Sequence, residues 1–362
     1  MILRKLDRDY SLMVFLFVLV IVLVILNLKV ESVEMESMNN IIYDRTKNVI
    51  NLSSLTLRQK IAQMIITYGK EENREALQRL NIGGIHLGAK KSRSEFIETI
   101  EYFQDGTVIP FFITVDLEGC LNPFENFQSF PSLREIETKE EAYEVGREEG
   151  KLLKELGFTI NFAPVVDLED TIWNCRNFLG SPEEVSEKAV YYIKGLQSQG
   201  ILATAKHYPG KTLTVGDPHV QIVRANISYE DLLPFKKSIE NNVSLIMVDH
   251  VIAEGAVSSE SKPSVVSKNV IEGIRKNFTG LIVTDEIRMG GLKNYYSRVE
   301  DMYIDLFKAG SDLILFFDTR VDNLQYLISV IEEAVKDGII SEERIDNSVT
   351  RILRMKGIKV VR

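Results

Sequence analysis

Along the chain the apolar residues fall into three regimes. Over residues 10–28 only Ser11 and Asn27 interrupt a continuous apolar run. At a rise of about 1.5 Å per residue such a helix reaches roughly 28 Å, close to the hydrocarbon thickness of a bilayer. A transmembrane helix is predicted there, because a buried core helix would carry polar positions at helical spacing. Residues 29–54 are polar and mildly acidic, with Glu31, Glu34, Glu36 and the pair Asn39 and Asn40, and are expected to be a tether. From Leu55 onward short apolar runs bounded by Gly, Pro or Asp alternate with amphipathic stretches, the pattern of parallel strands joined by crossover helices. Eight runs stand out, at 64–66, 84–87, 111–115, 160–163, 201–205, 245–248, 281–283 and 313–316. They predict an α/β chain with one (β/α)8 TIM-like barrel over residues 55–362, preceded by the N-terminal transmembrane helix. The competing fold, a doubly wound open sheet, would usually place a Gly-rich phosphate turn after its first strand, and no G-x-G-x-x-G occurs. A helix over 181–200 has a serine N-cap, Pro182 at its first position, Glu183 and Glu184 in its first turn, and an apolar stripe from Val185 to Leu196.

Charge orients the first segment. Arg4, Lys5 and Arg8 precede the apolar run, which leaves the N-terminus in the cytoplasm and sends the barrel to the extracytoplasmic side. Lys29, Val30 and Glu31 stand where a removable signal peptide would show small residues, so residues 1–28 are expected to be a short stub and an uncleaved signal anchor. Of the 362 residues 45% are hydrophobic and 26% charged, values of a folded chain. The net charge of −9 speaks against a nucleic-acid partner. Two cysteines, Cys120 and Cys175, exclude a disulfide-rich scaffold and a four-cysteine zinc module; both sit on strand-end loops and could pair in an oxidising exterior.

Only four histidines are present, His86, His207, His219 and His250, and three of them fall where a barrel places its chemistry, at the carboxyl ends of strands or on the loops beyond them. The run at 111–115 leads into Asp116 and Glu118, and that at 160–163 into Asp167 and then Arg176. The run at 201–205 ends in Lys206 and His207, that at 245–248 in Asp249 and His250, and that at 281–283 in Thr284, Asp285 and Glu286. His219 follows Asp217 by two residues on a loop containing Gly210 and Gly216. In extended chain those two side chains share a face, and Pro218 favours that conformation at Asp217. A carboxylate on one imidazole nitrogen sets the tautomer and stabilises the imidazolium, as a general acid and base requires. Taken alone, a D-x-H pair is also compatible with a surface ion pair.

The stretch Lys206, His207, Tyr208, Pro209, Gly210, followed by Asp217, Pro218, His219, resembles the K-H-F-P-G-x6-D-S-H segment of glycoside hydrolase family 3, in its β-N-acetylhexosaminidase branch. Residues 115–119 (VDLEG), 161–167 (NFAPVVD), 263–267 (PSVVS) and 283–289 (VTDEIRM) are similar to further segments of that family in the same order, and 55–64 and 341–356 resemble its opening and closing helices. The resemblance implies a retaining glycosidase without cofactor or metal, acting on a carbohydrate with a terminal amino sugar. It places the nucleophile at Asp285, the acid/base at His219 oriented by Asp217, and sugar hydroxyl contacts at Asp116, Arg176, Lys206 and His207. The loop glycines suit a histidine that approaches after substrate binds.

Two departures qualify it. Where the family has E-G-G-R-V-x-R, residues 118–124 read EGCLNPF, and where it has H-G-D-T, residues 211–214 read KTLT. The second loop is expected to have lost polar partners, which bears on substrate choice and loop geometry more than on reaction type. These losses motivate an alternative, a membrane-tethered glycan-binding protein of the same fold with lost or altered catalysis. A metal-dependent hydrolase is disfavoured because no H-x-H pair is present. His86 is expected to be a structural barrel histidine, Asp249 and His250 a supporting pair on the rim, and Glu118 and Glu286 to stand behind the contact residues.

Overall fold

The computed structural model describes residues 41–362 apart from 213 and 215. The apolar run at 10–28 lies outside the described residues; among them no helix is long and apolar enough to cross a membrane.

Eight parallel strands form the core: β1 (Ile65–Tyr68), β2 (Gly84–His86), β3 (Phe112–Val115), β4 (Ile160–Asn161), β5 (Leu202–Tyr208), β6 (Leu245–Val248), β7 (Leu281–Thr284) and β8 (Ile314–Leu315). Their hydrogen-bonded order is β7, β6, β5, β4, β3, β2, β1, β8, each next to its neighbour in sequence except where the ring returns on itself. A single parallel bridge from Val283 to Leu313 joins the two ends, so the barrel is nearly closed. Strands buried on both faces need apolar side chains throughout, which is why they appear in the sequence as continuous runs. β3, β6 and β7 have every residue buried.

The helices between strands form because caps and apolar stripes coincide. Thr56 and Gln59 make a reciprocal capping box at the start of Leu57–Gln63, as do Ser181 and Glu184 for Pro182–Ser198 and Ser228 and Asp231 for Tyr229–Glu240. Gly157 ends Lys139–Leu156 at φ 95°, a left-handed conformation in which a side chain would be strained. The β5 ladder is irregular between Ala205 and Tyr208, across Lys206 and His207, and the Lys206–His207 and Tyr208–Pro209 peptides are cis.

Two features differ from the sequence expectations. Residues 41–54, assigned to the end of the tether, have structure of their own. Strands Tyr43–Asp44 and Val49–Asn51 pair with Lys359–Val361 in a three-stranded sheet. Ile50 and Leu52 are fully buried beneath it, apolar anchors that the polar composition of the stretch concealed. This sheet lies at the end where the barrel strands begin, since Arg45 donates to the Thr107 carbonyl ahead of β3. A second small sheet pairs Arg224–Ile227 with Ile252–Gly255 in parallel, over a satellite core of Val223, Ala225, Ile227, Val251 and Ala253. It rises beside the opposite end of the barrel and holds the loop that follows Gly210.

Candidate active site

The site is assembled on the carboxyl ends of β3 to β7. Buried Asn161, at the end of β4, accepts a hydrogen bond from the Leu117 amide (2.9 Å) and donates to the Leu117 carbonyl (2.9 Å). This clamp fixes the segment after β3 with Asp116 and Glu118, two residues apart, on one side. Glu118 is completely buried, and Arg176 grips it through Nε to Oε2 (2.5 Å) and Nη2 to Oε1 (2.9 Å). Lys206 Nζ lies between Glu118 Oε1 (2.5 Å) and Asp116 Oδ1 (2.6 Å).

Burial would push the Glu118 carboxyl up, but the charges and hydrogen bonds of Arg176 and Lys206 hold it well below the carboxylate range. Burial likewise disfavours the Lys206 ammonium, and the Asp116 and Glu118 carboxylates outweigh it, keeping the lysine above its ordinary value. All three side chains are therefore ionised. Asp116 alone of the four keeps substantial solvent contact, at 33% side-chain exposure. Its Oδ2 lies 3.7 Å from His86 Nε2. His86 also pairs with Thr114 (3.1 Å) and packs against both Phe317 (4.6 Å) and Tyr68 (5.7 Å). It is a satisfied barrel residue, and it is also a wall of the pocket beside Asp116.

A second cluster surrounds His207. Its Nδ1 lies 3.0 Å from Asp167 Oδ2, and its backbone N–H donates to the same oxygen (3.0 Å). The other nitrogen, Nε2, is 3.5 Å from Arg176 Nη2, joining the two clusters. Thr212 corrects the expectation that the loop after Gly210 lacks polar partners. Its N–H donates to Asp167 Oδ1 (3.1 Å), and its hydroxyl contacts Asp249 Oδ2. Burial pushes the Asp249 carboxyl well up; Thr212 and Val251 oppose this while the charges of Asp167 and Asp285 add to it. Asp249 is thus a fully buried brace rather than a group on the rim.

Asp285 follows β7 and is partly exposed in the barrel mouth. Its Oδ1 accepts from the Glu286 amide (2.7 Å). Burial favours its protonation, yet His207, His250, the Glu286 N–H and Lys206 together hold it below the ordinary carboxylate range. An ionised carboxylate in a positive field is competent as a nucleophile. His250 donates from Nε2 to the Glu286 carbonyl (2.9 Å). Burial chiefly, with His219 and His207, keeps His250 below the imidazole range, against the pull of Asp285. The Glu286 carboxylate takes the amides of Phe317 (3.1 Å) and Arg288 (3.0 Å), and burial raises it to about 7.

The Asp217 and His219 pair lies on a turn ahead of Arg224–Ile227. His219 Nδ1 is 2.6 Å from Asp217 Oδ1, which also accepts the His219 N–H (2.9 Å), and half of the imidazole is exposed. Burial pushes the Asp217 carboxyl up, but the two bonds and the charge of His219 together hold it below its ordinary value. The turn is seated on the segment after Asp285: Gly290 N–H donates to the His219 carbonyl and Gly291 N–H to the Pro218 carbonyl, both at 2.8 Å. Cys120 and Cys175 are joined as a disulfide, Cα atoms 6.1 Å apart, tying the loop after β3 to the one carrying Arg176.

All seven residues singled out from the sequence sit at this end of the barrel. Glu118 stands behind the contact residues Arg176 and Lys206, as expected from its place two residues beyond Asp116. The bridging role of Thr212 and the Gly290 and Gly291 seat were missed, and neither had a signal in the sequence.

The Glycosyl hydrolase family 3 N terminal domain model matches residues 56–355. Beta-hexosaminidase LpqI from Mycobacterium tuberculosis (strain ATCC 25618 / H37Rv) is 27% identical over 330 residues, 84% of this chain and 83% of that protein. A GH3 family glycosyl hydrolase from Mycobacterium smegmatis superposes with a TM-score of 0.78 at 27% identity, covering 85% of this chain and 99% of the other. A glycoside hydrolase family 3 beta-N-acetylglucosaminidase from Paenibacillus sp. str. FPU-7 gives 0.78 at 29%, covering 84% and 62%. With the family model spanning nearly the whole barrel and matching residues 56–355, the chain belongs to glycosyl hydrolase family 3.

Proposed function

We propose that this glycosidase is a retaining exo-β-N-acetylhexosaminidase that removes terminal β-N-acetylglucosamine from glycans. The observations that carry the reading are an Asp285 carboxylate held ionised after β7 and a His219 whose Nδ1 is occupied by Asp217, on a turn hydrogen-bonded to the segment that follows Asp285. With Nδ1 held, Nε2 of His219 is the nitrogen that carries the working proton. Asp285 attacks the anomeric carbon as His219 protonates the departing oxygen, and the glycosidic bond breaks as the ester to Asp285 forms. His219, now neutral, takes a proton from water, whose oxygen attacks the same carbon and frees Asp285. Asp217 stabilises the imidazolium at each end of the cycle. The sugar hydroxyls are received by Asp116, Arg176, Lys206 and His207. Because Glu118 neutralises Arg176 and Lys206 from behind, neither presents a bare positive charge to a developing oxocarbenium.

The run at 10–28 anchors the protein on the extracytoplasmic side. The start of the described chain, at the end of the barrel away from the site, is consistent with a mouth facing away from the membrane. Turnover of an aryl β-N-acetylglucosaminide, lost in Asp285→Ala, tests the reading; undiminished activity in that variant refutes the role of Asp285. Binding of an amino-sugar oligosaccharide with no hydrolysis by the unmodified chain would instead favour the glycan-binding alternative.

A further inference from the structure

Trp173 is the chain's one tryptophan, and it is 49% exposed. Large aromatic rings are usually well covered, and an exposed one held rigidly points to a ligand. The loop that carries it is braced from several sides. The Asp170 carboxylate accepts the amides of Ile172 (3.1 Å), Trp173 (2.8 Å), Cys175 (3.2 Å) and Arg176 (3.1 Å). Cys175 is bonded to Cys120, and Arg176 is clamped on buried Glu118. The indole thus stands on a braced loop while half of the residue stays exposed.

The ring lies 6.5 Å from the His219 ring, edge-on at 77°. Asp217 holds the other side of that imidazole, at Nδ1. In the mechanism above His219 protonates the oxygen that leaves, so whatever is attached to that oxygen passes close to Trp173. Val220, next to His219 in sequence, is likewise exposed, at 65%. A pyranose presents an apolar face of C–H groups, which an indole covers while leaving the equatorial hydroxyls in water.

Resting on the glycosidase reading, we infer that Trp173 is the platform for the sugar on the leaving side of the scissile bond. The substrate is then a glycan with at least two linked sugars, rather than an amino sugar on a small alkyl group. Trp173 would raise the effectiveness of such substrates without taking part in the chemistry.

A single tryptophan makes its emission a reporter of this position. In full-length Asp285→Asn protein, titration with the β-linked N-acetylglucosamine disaccharide should change the emission, whereas the monosaccharide, which fills only the pocket, should not; calorimetry run in parallel records binding of each. In otherwise unmodified protein, Trp173→Ala should lower kcat/KM for the disaccharide by about 10-fold. Its rate on the methyl glycoside should stay within about twofold, and Trp173→Phe should recover most of the loss. Calorimetric binding of the disaccharide with unchanged emission, or equal losses on disaccharide and methyl glycoside, would overturn the platform. Absence of binding and turnover for every amino sugar would overturn the glycosidase reading itself, a distinguishable result.

Discussion

Gly291 donates its N–H to the carbonyl of Pro218 at 2.8 Å, and through this contact the turn bearing Asp217 and His219 rests on the segment that follows Asp285. The proposed acid/base, His219, and the proposed nucleophile, Asp285, far apart in sequence, are thereby referenced to one piece of backbone. A Cβ on Gly291 would fall 2.6 Å from the Pro218 oxygen, and one on Gly290 2.8 Å from the oxygens of His219 and Val220.

Alanine at either glycine should therefore lift the turn off its seat. Catalysis is sensitive to displacements of an ångström or less, so kcat on poor leaving groups should fall roughly 10- to 100-fold. A dinitrophenyl glycoside, whose leaving group needs no proton, should be much less affected. Steady-state rates on the two aglycones check this, and equal losses on both would contradict the positioning role.

The Glu118 hub makes a different prediction, for stability. Removing one member of a buried ion pair leaves charge without compensation and costs about 3–5 kcal/mol. Glu118→Gln leaves Arg176 and Lys206, both almost fully buried, with only the partly exposed Asp116 as a carboxylate partner. Chemical denaturation should show a loss of that size, whereas Asp116→Asn, at a more open position, should change stability less and KM more.

These contacts divide what the sequence discloses from what it hides. The barrel was legible because strands buried on both faces must be apolar throughout: the run at 245–248 coincides with β6, and that at 281–283 falls one residue short of β7. β5 was read as ending at Ala205, yet it continues through Lys206, His207 and Tyr208, because charged residues can stay in a strand when Glu118 and Asp167 wait for them. Arg224–Ile227 was not foreseen; it alternates exposed and buried positions and is short, so its pairing with Ile252–Gly255 depends on a partner distant in sequence. The placement of Asp285 just after a barrel strand followed from its position in the sequence. The buried state of Asp249 and the service of Thr212 did not, since both arise only when the loops after β5 and β6 meet.

Glu149 links stability to pH. It is fully buried on Lys139–Leu156, touches the Tyr192 hydroxyl, and leaves Oε1 without a partner. Burial chiefly, with the charge of Glu118 and against the Tyr192 bond, pushes its carboxyl from 4.5 up to about 8. Between those values the folded protein holds a proton that the unfolded chain has released, so this group's contribution to stability falls as pH rises. Glu149→Gln removes the linkage. Its stability relative to the unmodified protein should improve from pH 5 to pH 9 by on the order of 3–5 kcal/mol. Denaturant unfolding at the two pH values measures the difference, and a pH-independent difference would contradict a raised Glu149.

The proposed function rests above all on covalent catalysis by Asp285. Incubation with an activated fluoro-glycoside of N-acetylglucosamine, whose glycosyl-enzyme turns over slowly, followed by proteolysis and mass spectrometry, tests it most directly. One added glycosyl group is expected on the peptide containing Asp285, absent in Asp285→Ala. A sugar adduct on another residue, or steady turnover of the ordinary substrate with no adduct trapped at Asp285, would contradict that role.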